Sequence, residues 1–387
     1  MIAVSLLFGN STNTCMRKRF IYQTALLIAG FAVGPLMAQQ DPMYTHFTFN
    51  KVLYNPAYAG ASDQFCLNAI THQQWLGYDD ESPLIKTQGG LPTSDNLARN
   101  IAPKTTGAGF SAPIRLKLKG NSVNVGGAYA GFISDQIGYE NNTYMKFGLA
   151  GAYGLSSGAN LRLGVDFTSL TKELDGQGLR YHDPGDPLIP TGTSADTRVT
   201  MGLGAYYSDP NIMGGAWGSL SMTHLMPQTF AYGPSGAIQI STARHLYMAG
   251  GVRMDNFMGN PALTLDPAFK IRTVLGKGGL VKPELDLQGI ANWNELFAGG
   301  LNLRSYGTGL DALSLILGYY PPLMGNGAGQ QKLRVGYSYD ITVSNLVRNS
   351  FGTHEVQVNY CFMISLPDRP EIIYRHPRWM EHSPEID

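Results

Sequence analysis

Leu161-Arg162-Leu163-Gly164-Val165-Asp166-Phe167-Thr168 decides the fold of this 387-residue chain. Successive side chains of an extended strand point to opposite sides. Leu161, Leu163, Val165 and Phe167 therefore share one face, and Arg162, Gly164, Asp166 and Thr168 the other. The same period governs 143–155, where Met145, Phe147, Leu149, Tyr153 and Leu155 oppose Tyr144, Lys146, Gly148, Ala150 and Ala152. Leu333, Val335, Tyr337 and Tyr339 oppose Arg334, Gly336, Ser338 and Asp340. Near the end, Val356, Val358, Tyr360 and Phe362 oppose Glu355, Gln357, Asn359 and Cys361. The pattern recurs near 122–132, 197–207, 244–253, 283–289 and 296–304, and helical periodicity is scarce.

Two architectures alternate in this way. A soluble sandwich turns its apolar face inward and its polar face to water. A transmembrane barrel reverses this, with apolar and aromatic residues toward lipid and a polar lumen. Composition decides between them. Only 14% of residues are charged, while Gly (47) and Tyr (21) are abundant. Soluble chains carry about 25% charged residues. Water-exposed strands are normally rich in Lys and Glu, whereas the polar faces here are Gly, Ser and Asn with isolated charges. The fold class expected is an all-β, antiparallel, up-and-down transmembrane barrel, with a soluble periplasmic β-protein a distant alternative. Tyr153, Tyr206, Tyr207, Tyr319, Tyr320, Tyr339 and Tyr360 at strand ends fit interfacial girdles or a packed core. The 28 Lys and Arg balance the 28 Asp and Glu, so no basic excess points to nucleic acid.

Candidate strands fall near 63–75, 83–92, 105–116, 121–133, 141–155, 159–170, 197–208, 212–224, 242–253, 261–273, 280–290, 295–304, 310–320, 329–341 and 352–364. Bacterial single-chain barrels have an even number of strands. The weakest segment, 83–92, is broken by Gly89-Gly90 and bounded by Pro83 and Pro92; without it the barrel has 14. Gly- and Pro-rich connections such as Asp175–Asp196 and Gly325–Gln330 read as loops or turns.

Residues 1–38 read as an export signal. Arg17, Lys18 and Arg19 precede the apolar run Thr24–Val33, and Leu36-Met37-Ala38 ends on a small residue before Gln39. Met16, just before the basic cluster, is an alternative start. Cleavage leaves 25 basic against 28 acidic residues, and no apolar run long enough for a membrane-spanning helix. An exported chain of this kind crosses a membrane only as a closed barrel. Residues 39–61 form a pre-barrel segment, 62–366 the barrel, and 367–387 a Pro-rich periplasmic tail.

Gln40-Asp41-Pro42-Met43-Tyr44-Thr45-His46-Phe47-Thr48-Phe49-Asn50 and Asn55-Pro56-Ala57-Tyr58-Ala59-Gly60 resemble the opening signature of the PorP/SprF family of the Bacteroidetes type IX secretion system. Gln74-Trp75-Leu76-Gly77 and Thr87 resemble its next block. Gly336-Tyr337-Ser338-Tyr339-Asp340, His354-Glu355-Val356 and Tyr360-Cys361-Phe362 resemble its closing strands. Asp183-Pro184-Gly185-Asp186-Pro187 and His224-Leu225 resemble internal features, and the tail after Leu366 departs from members that stop near the last strand. The resemblance implies an outer-membrane barrel beside the type IX translocon. It further implies partners among type IX components and the C-terminal domains of secreted cargo, including adhesins of gliding motility.

The residues themselves suggest a binding role. Phe47, Phe49, Tyr54 and Tyr58 are too apolar to stay in water, so residues 41–60 are expected in the periplasmic mouth or lumen, as a simple cap or as a plug and docking surface. Asp41, Pro42, Tyr44, Phe47, Phe49, Asn50, Asn55, Pro56, Tyr58 and Gly60 are its candidate site residues, with Trp75 a rim or girdle residue. Arg162, Asp166, Arg334, Asp340 and Glu355 are lumen charges, as wall-bracing ion pairs or as a cavity lining. Cys66 and Cys361 lie at the periplasmic ends of the first and last strands, on the lumen register; they are a disulfide or two buried thiols. No catalytic or metal-binding motif emerges: His354-Glu355 lacks a second His at ligand spacing, and the eight His are scattered. Asp183 and Asp186 are too few oxygens for calcium. No enzyme activity or cofactor is expected. The periplasmic tail is assigned to a periplasmic protein and the outer wall to lipid. The competing reading is a passive porin or hydrophobic-substrate transporter.

Overall fold

Each of the fourteen segments retained from the alternation is a strand in the computed structural model, which describes residues 41–78, 101–118, 121–179, 190, 192–233, 236, 238–276, 279–307, 309–323, 331–343 and 350–363. The leader, the segment 83–92, the Asp183/Asp186 loop, Gly325–Gln330 and the tail lie outside the described residues. The wall consists of β1 (Phe65–Gln73), β2 (Lys104–Leu118), β3 (Asn121–Ile137), β4 (Glu140–Gly154), β5 (Asn160–Asp175), β6 (Thr193–Asp209) and β7 (Ala216–Thr223) in its first half. A short β8 (Thr229–Tyr232) and β9 (Ile238–Ser241) pair only with each other. The wall continues with β10 (Arg244–Val252), β11 (Leu263–Gly276), β13 (Glu284–Trp293), β14 (Phe297–Tyr306), β15 (Gly309–Tyr319), β16 (Lys332–Thr342) and β17 (Thr353–Phe362). The two-residue β12 (Gly279–Leu280) only extends the edge of β11.

Every wall pair is antiparallel and each strand joins its sequence neighbour. Pairing of β10 with both β7 and β11, and of β1 with β17, closes the cylinder. Closure satisfies all the ladder hydrogen bonds, which is the condition for a sheet to sit in hydrocarbon. Among the described residues no helix is long and apolar enough to cross a membrane.

The faces are inside out relative to a water-soluble protein. Leu163 and Leu317 are each 62% exposed and Phe147 60%, a surface that water would reject and lipid accepts. Arg162 is 1% exposed, and Glu355 and Asp286 are fully buried in the lumen. Tyr153, Tyr207, Tyr319, Trp293 and Phe297 face outward near the strand ends on the side of the chain termini. Tyr206 and Tyr320 take the packed-core alternative. Each adjoins an outward tyrosine, so alternation turns it inward, where Tyr206 meets Tyr58 edge-on and Tyr320 lies against Arg334.

Connections separate the two ends of the barrel. On the terminus side they span 119–120, 155–159, 210–215, 253–262, 294–296 and 320–331; on the other side lie 74–103, 138–139, 176–192, 224–243, 277–283, 307–308 and 343–352, about twice as long on average. The longer set marks the extracellular end and the termini the periplasmic one. The hairpin β8–β9 folds from the extracellular side onto the lumen, burying Phe230 and Tyr232 completely.

At the seam, Cys66 and Cys361 are direct cross-strand partners and are joined by a disulfide. Alkylation of the denatured, unreduced mature protein, followed by peptide mass mapping, is expected to leave both cysteines unmodified. Labelling at either residue would show an open seam.

Candidate functional site: a lumenal plug and its periplasmic vestibule

Residues 41–60 run inside the barrel, entering from β1 at the periplasmic end and reaching the extracellular half at Asp41. Their sequence explains the compact path. A single helical turn α1 (Lys51–Tyr54) buries Val52, Leu53 and Tyr54. The Asn55 side chain then caps a 3-10 turn over Pro56–Tyr58, accepting from Ala57 N–H at 2.9 Å, with Pro at the first position where no N–H is needed. Gly60, at φ +68°, turns the chain toward β1.

In the extracellular half the wall grips the plug through polar groups. The Asp41 carboxylate accepts from Thr223 (2.7 Å), His224 Nε2 (2.9 Å) and the Tyr247 hydroxyl (2.9 Å). Its N–H donates to His245 Nε2 at 3.2 Å and its carbonyl accepts from Arg272. One turn on, Glu355 takes four donors. Thr45 N–H and His72 Nδ1 lie 2.9 and 2.8 Å from Oε2, and His46 N–H and Nδ1 lie 2.7 and 2.6 Å from Oε1. The Thr45 hydroxyl donates to Asp340 at 2.8 Å, and Arg304 reaches both groups. Lys270 contacts the Phe47 ring at 5.0 Å, and Lys146 donates to the Leu53 carbonyl at 2.8 Å.

In the periplasmic half hydrogen bonds such as Arg162 to Ala59 O are joined by a close steric fit. A Cβ on Gly164 would lie 2.4 Å from Ala57 N, one on Gly127 2.3 Å from Ala59 O, and one on Gly204 2.0 Å from the Asn55 side-chain oxygen. These glycines form a bed that lets plug backbone approach wall backbone, which explains part of the high glycine content. Gly164→Val is expected to force residues 56–57 off the wall and expose them to protease. Gly289→Val, where a Cβ meets nothing within 4 Å, is expected to change nothing. Equal protease resistance of the two variants would contradict the bed.

The candidate residues thus fall into distinct places. Asp41, Pro42, Tyr44, Phe47, Phe49, Asn50, Asn55, Pro56, Tyr58 and Gly60 lie along this segment, and most are buried. Trp75 stands apart at the extracellular rim, its N–H on Thr353 Oγ1 at 3.1 Å and its ring against Tyr78. Among the lumen charges, Arg162 donates to Ala59 O at 2.7 Å and Asp166 accepts from Tyr129 at 2.7 Å, and among the described residues neither is in an ion pair. Asp340 pairs with Arg304 and Glu355 with two histidines. Arg334 lies between the Phe49 and Tyr320 rings, 5.5 and 5.4 Å from their centroids.

Reading the histidines as scattered missed a pattern. His46 and His72 flank Glu355, while His224 and His245 flank Asp41. His72 follows Cys66, Asn68 and Ile70 on the inward register of β1, so alternation alone places it in the lumen. Lys146, Glu284 and Asp286 fall on the polar face that the alternation gives, whereas Lys270, Arg272 and Arg304 were not singled out, although each sits on an inward register. Asp41, His224 and His245 bring possible metal ligands within 4.8 Å of one another. Their hydrogen bonds serve the plug instead: Asp41 is met by three donors, and His245 bridges the Asp41 N–H and the Ala243 carbonyl.

Below the plug, two adjoining recesses of about 370 and about 600 Å³ open at the periplasmic mouth. They share Phe49, Arg253, Asp266, Lys332 and Arg334.

A profile described as type IX secretion system membrane protein PorP/SprF matches residues 36–360. No curated protein matches the chain. Among solved structures, a Pseudomonas aeruginosa FadL homologue is similar at 10% identity and TM-score 0.42, covering 86% of this chain and 97% of that one. A TodX monoaromatic hydrocarbon channel mutant is similar at 8% identity and TM-score 0.44, covering 82% and 94%. The translocator domain of the autotransporter NalP from Neisseria meningitidis is similar at 11% identity and TM-score 0.37, covering 93% and 100%.

Proposed function

The chain belongs to the PorP/SprF family of type IX secretion system membrane proteins, and from that premise we propose that it is a plugged docking barrel that does no chemistry. In this reading it works beside the type IX translocon of a Bacteroidetes outer membrane. It receives the C-terminal domains of secreted cargo, including gliding adhesins, and delivers or anchors them at the surface. The observation that supports a docking role over an open pore is the plug itself. Residues 41–60 are clamped by buried charged and polar groups from β7, β10, β11, β13, β14, β16 and β17. The Pro-rich tail, outside the described residues, is assigned to a periplasmic partner.

Affinity purification of the native protein, with the co-purifying proteins identified by mass spectrometry, tests the reading. A type IX component or a secreted protein with a sorting domain is the expected companion. Recovery with neither would count against it. The competing transporter reading draws on an apolar groove of about 830 Å³ on the outer wall, where Gly218, Gly250 and Gly251 thin β7 and β10. Saturable uptake of a hydrophobic compound into liposomes holding the barrel would favour that reading.

A further inference from the structure

We propose that the periplasmic vestibule is a receptor site for an acidic peptide segment, one that presents carboxylates beside apolar side chains. It lies below the plug and goes beyond cargo docking; it rests on the barrel's outer-membrane placement, not on the cargo reading.

Charge supplies the first argument. Lys51, Arg253, Lys332 and Arg334 line the two recesses, and Asp266 and Glu295 are the carboxylates among them. The Arg253 charge is answered by Asp255 at 2.9 Å and Glu295 at 3.2 Å. Among the described residues, the side chains of Lys51, Lys332 and Arg334 have no hydrogen bond and no ion pair. Asp266 donates no relief beyond its field, since one oxygen accepts from Asn292 at 2.7 Å and the other is buried without a partner. Among the described residues the four cations outnumber Asp255, Asp266 and Glu295, so with Lys51 protonated the mouth carries a net positive charge facing the periplasm.

The second argument is preorganisation. The Lys51 ammonium sits 3.8 Å from the Trp217 ring centroid and 5.2 Å from that of Tyr58. Arg334 is held between Phe49 and Tyr320. Aromatic faces hold a cation without using up its N–H donors. Such cations are fixed in place and still free to bind a carboxylate, and a fixed guanidinium loses less entropy on binding.

Lining chemistry narrows the ligand. Phe49, Tyr58, Trp217, Ile290 and Tyr320 put apolar surface beside the cations. A bare inorganic anion would use none of it, whereas a peptide alternating acidic and apolar side chains uses both. The recess volumes accommodate several side chains. Burial, the nearby Arg334 charge and the opposing pull of Asp266 together bring the Lys51 pKa down to about 7. A carboxylate bound there favours the protonated amine, so binding tightens as pH falls through neutrality.

The test uses the full chain in lipid nanodiscs and titration calorimetry. One probe is the capped peptide Phe-Glu-Leu-Asp-Phe-Glu, the second its amide counterpart Phe-Gln-Leu-Asn-Phe-Gln, and the third inorganic phosphate. The acidic peptide is expected to bind about ten-fold or more tighter than the amide one. Its affinity should rise roughly three- to ten-fold from about pH 8 to about pH 6. Lys51→Gln with Arg334→Gln should remove the acidic preference, and Lys51→Arg with Arg334→Lys should restore it, with unheated gel mobility reporting the fold. Equal binding of the two peptides, or no binding of either, would overturn the proposal. So would displacement of the peptide by equimolar phosphate, which marks a plain anion subsite. Co-purification of cargo is a separate readout, so either proposal fails without the other.

Discussion

Deletion of residues 41–60 is expected to turn a closed barrel into an ion-conducting one. Barrels of about 8 strands fill their interiors with side chains, and those of about 16–18 hold an aqueous channel. Fourteen strands lie between, so inward side chains alone leave space, and here the space is taken by Phe47, Leu53, Tyr54 and their neighbours. Once the segment is gone, Glu355, Asp340, Arg304, Arg272 and Lys270 each lose a plug partner while keeping one on the wall, and Arg162 loses its bond to Ala59 O. Buried charged groups left with open hydrogen-bonding capacity draw in water. The wall has no comparable dependence, since its ladders close strand to strand and its apolar face meets lipid. Insertion and unheated gel mobility should therefore survive. Single-channel recordings in planar bilayers should show conductance about ten-fold or more above the full chain. If the deleted form stays silent, inward side chains and the β8–β9 hairpin seal the lumen by themselves. Under the docking proposal the same deletion abolishes cargo display at the cell surface, and undiminished display would defeat that role for the plug.

The wall was legible because lipid on one side and protein on the other impose a strict period of two. Strands such as β5 and β17 announce both their existence and their facing by that period alone. For Tyr206 and Tyr320 residue type alone leaves girdle and core open, and the register decides, since a tyrosine next to an outward tyrosine must face in. The hairpin β8–β9 was passed over, although Phe230 and Tyr232 alternate on one side of Gly233 and Ile238 and Ile240 on the other. Its strands are only four residues each, too short to stand out from loop.

The plug was legible as a segment that could not remain in water, but its contacts were not. Which wall charge meets which plug atom depends on strand stagger and on the coil of residues 41–60 through three dimensions. His46 reaches Glu355 across 309 residues, and Asp41 reaches Tyr247 across 206. Neither separation carries a periodic signal. The resemblance singled out the residues of this segment, and the packing gives what each of them touches. The glycine bed is a further case: Gly127, Gly164 and Gly204 look like weak points in strands until the plug backbone is laid on them.

Glu355 concentrates the largest single-residue effect. It sits on β17 directly opposite His72 of β1, at the seam that also carries the disulfide. Its two oxygens accept the Thr45 and His46 N–H groups and a nitrogen of each flanking histidine, and the residue is fully buried. Glu355→Ala leaves those four groups facing a space that no other acceptor fills. Breaking one side of a buried charged network costs about 3–5 kcal/mol. The seam strands keep their backbone ladder and their disulfide, so the loss falls on the extracellular half of the plug rather than on the wall. Amide hydrogen exchange at Thr45 and His46 should then accelerate by roughly 10²–10³, while amides of β4 and β5 keep their protection. Glu355→Gln should fall between, because its one remaining acceptor oxygen serves one pair of donors while its NH₂ confronts the other. Unchanged exchange at Thr45 and His46 in the alanine variant would mean that Asp340, Gln288 and Arg304 hold this turn unaided, and the clamp would have to be placed at Thr45 instead.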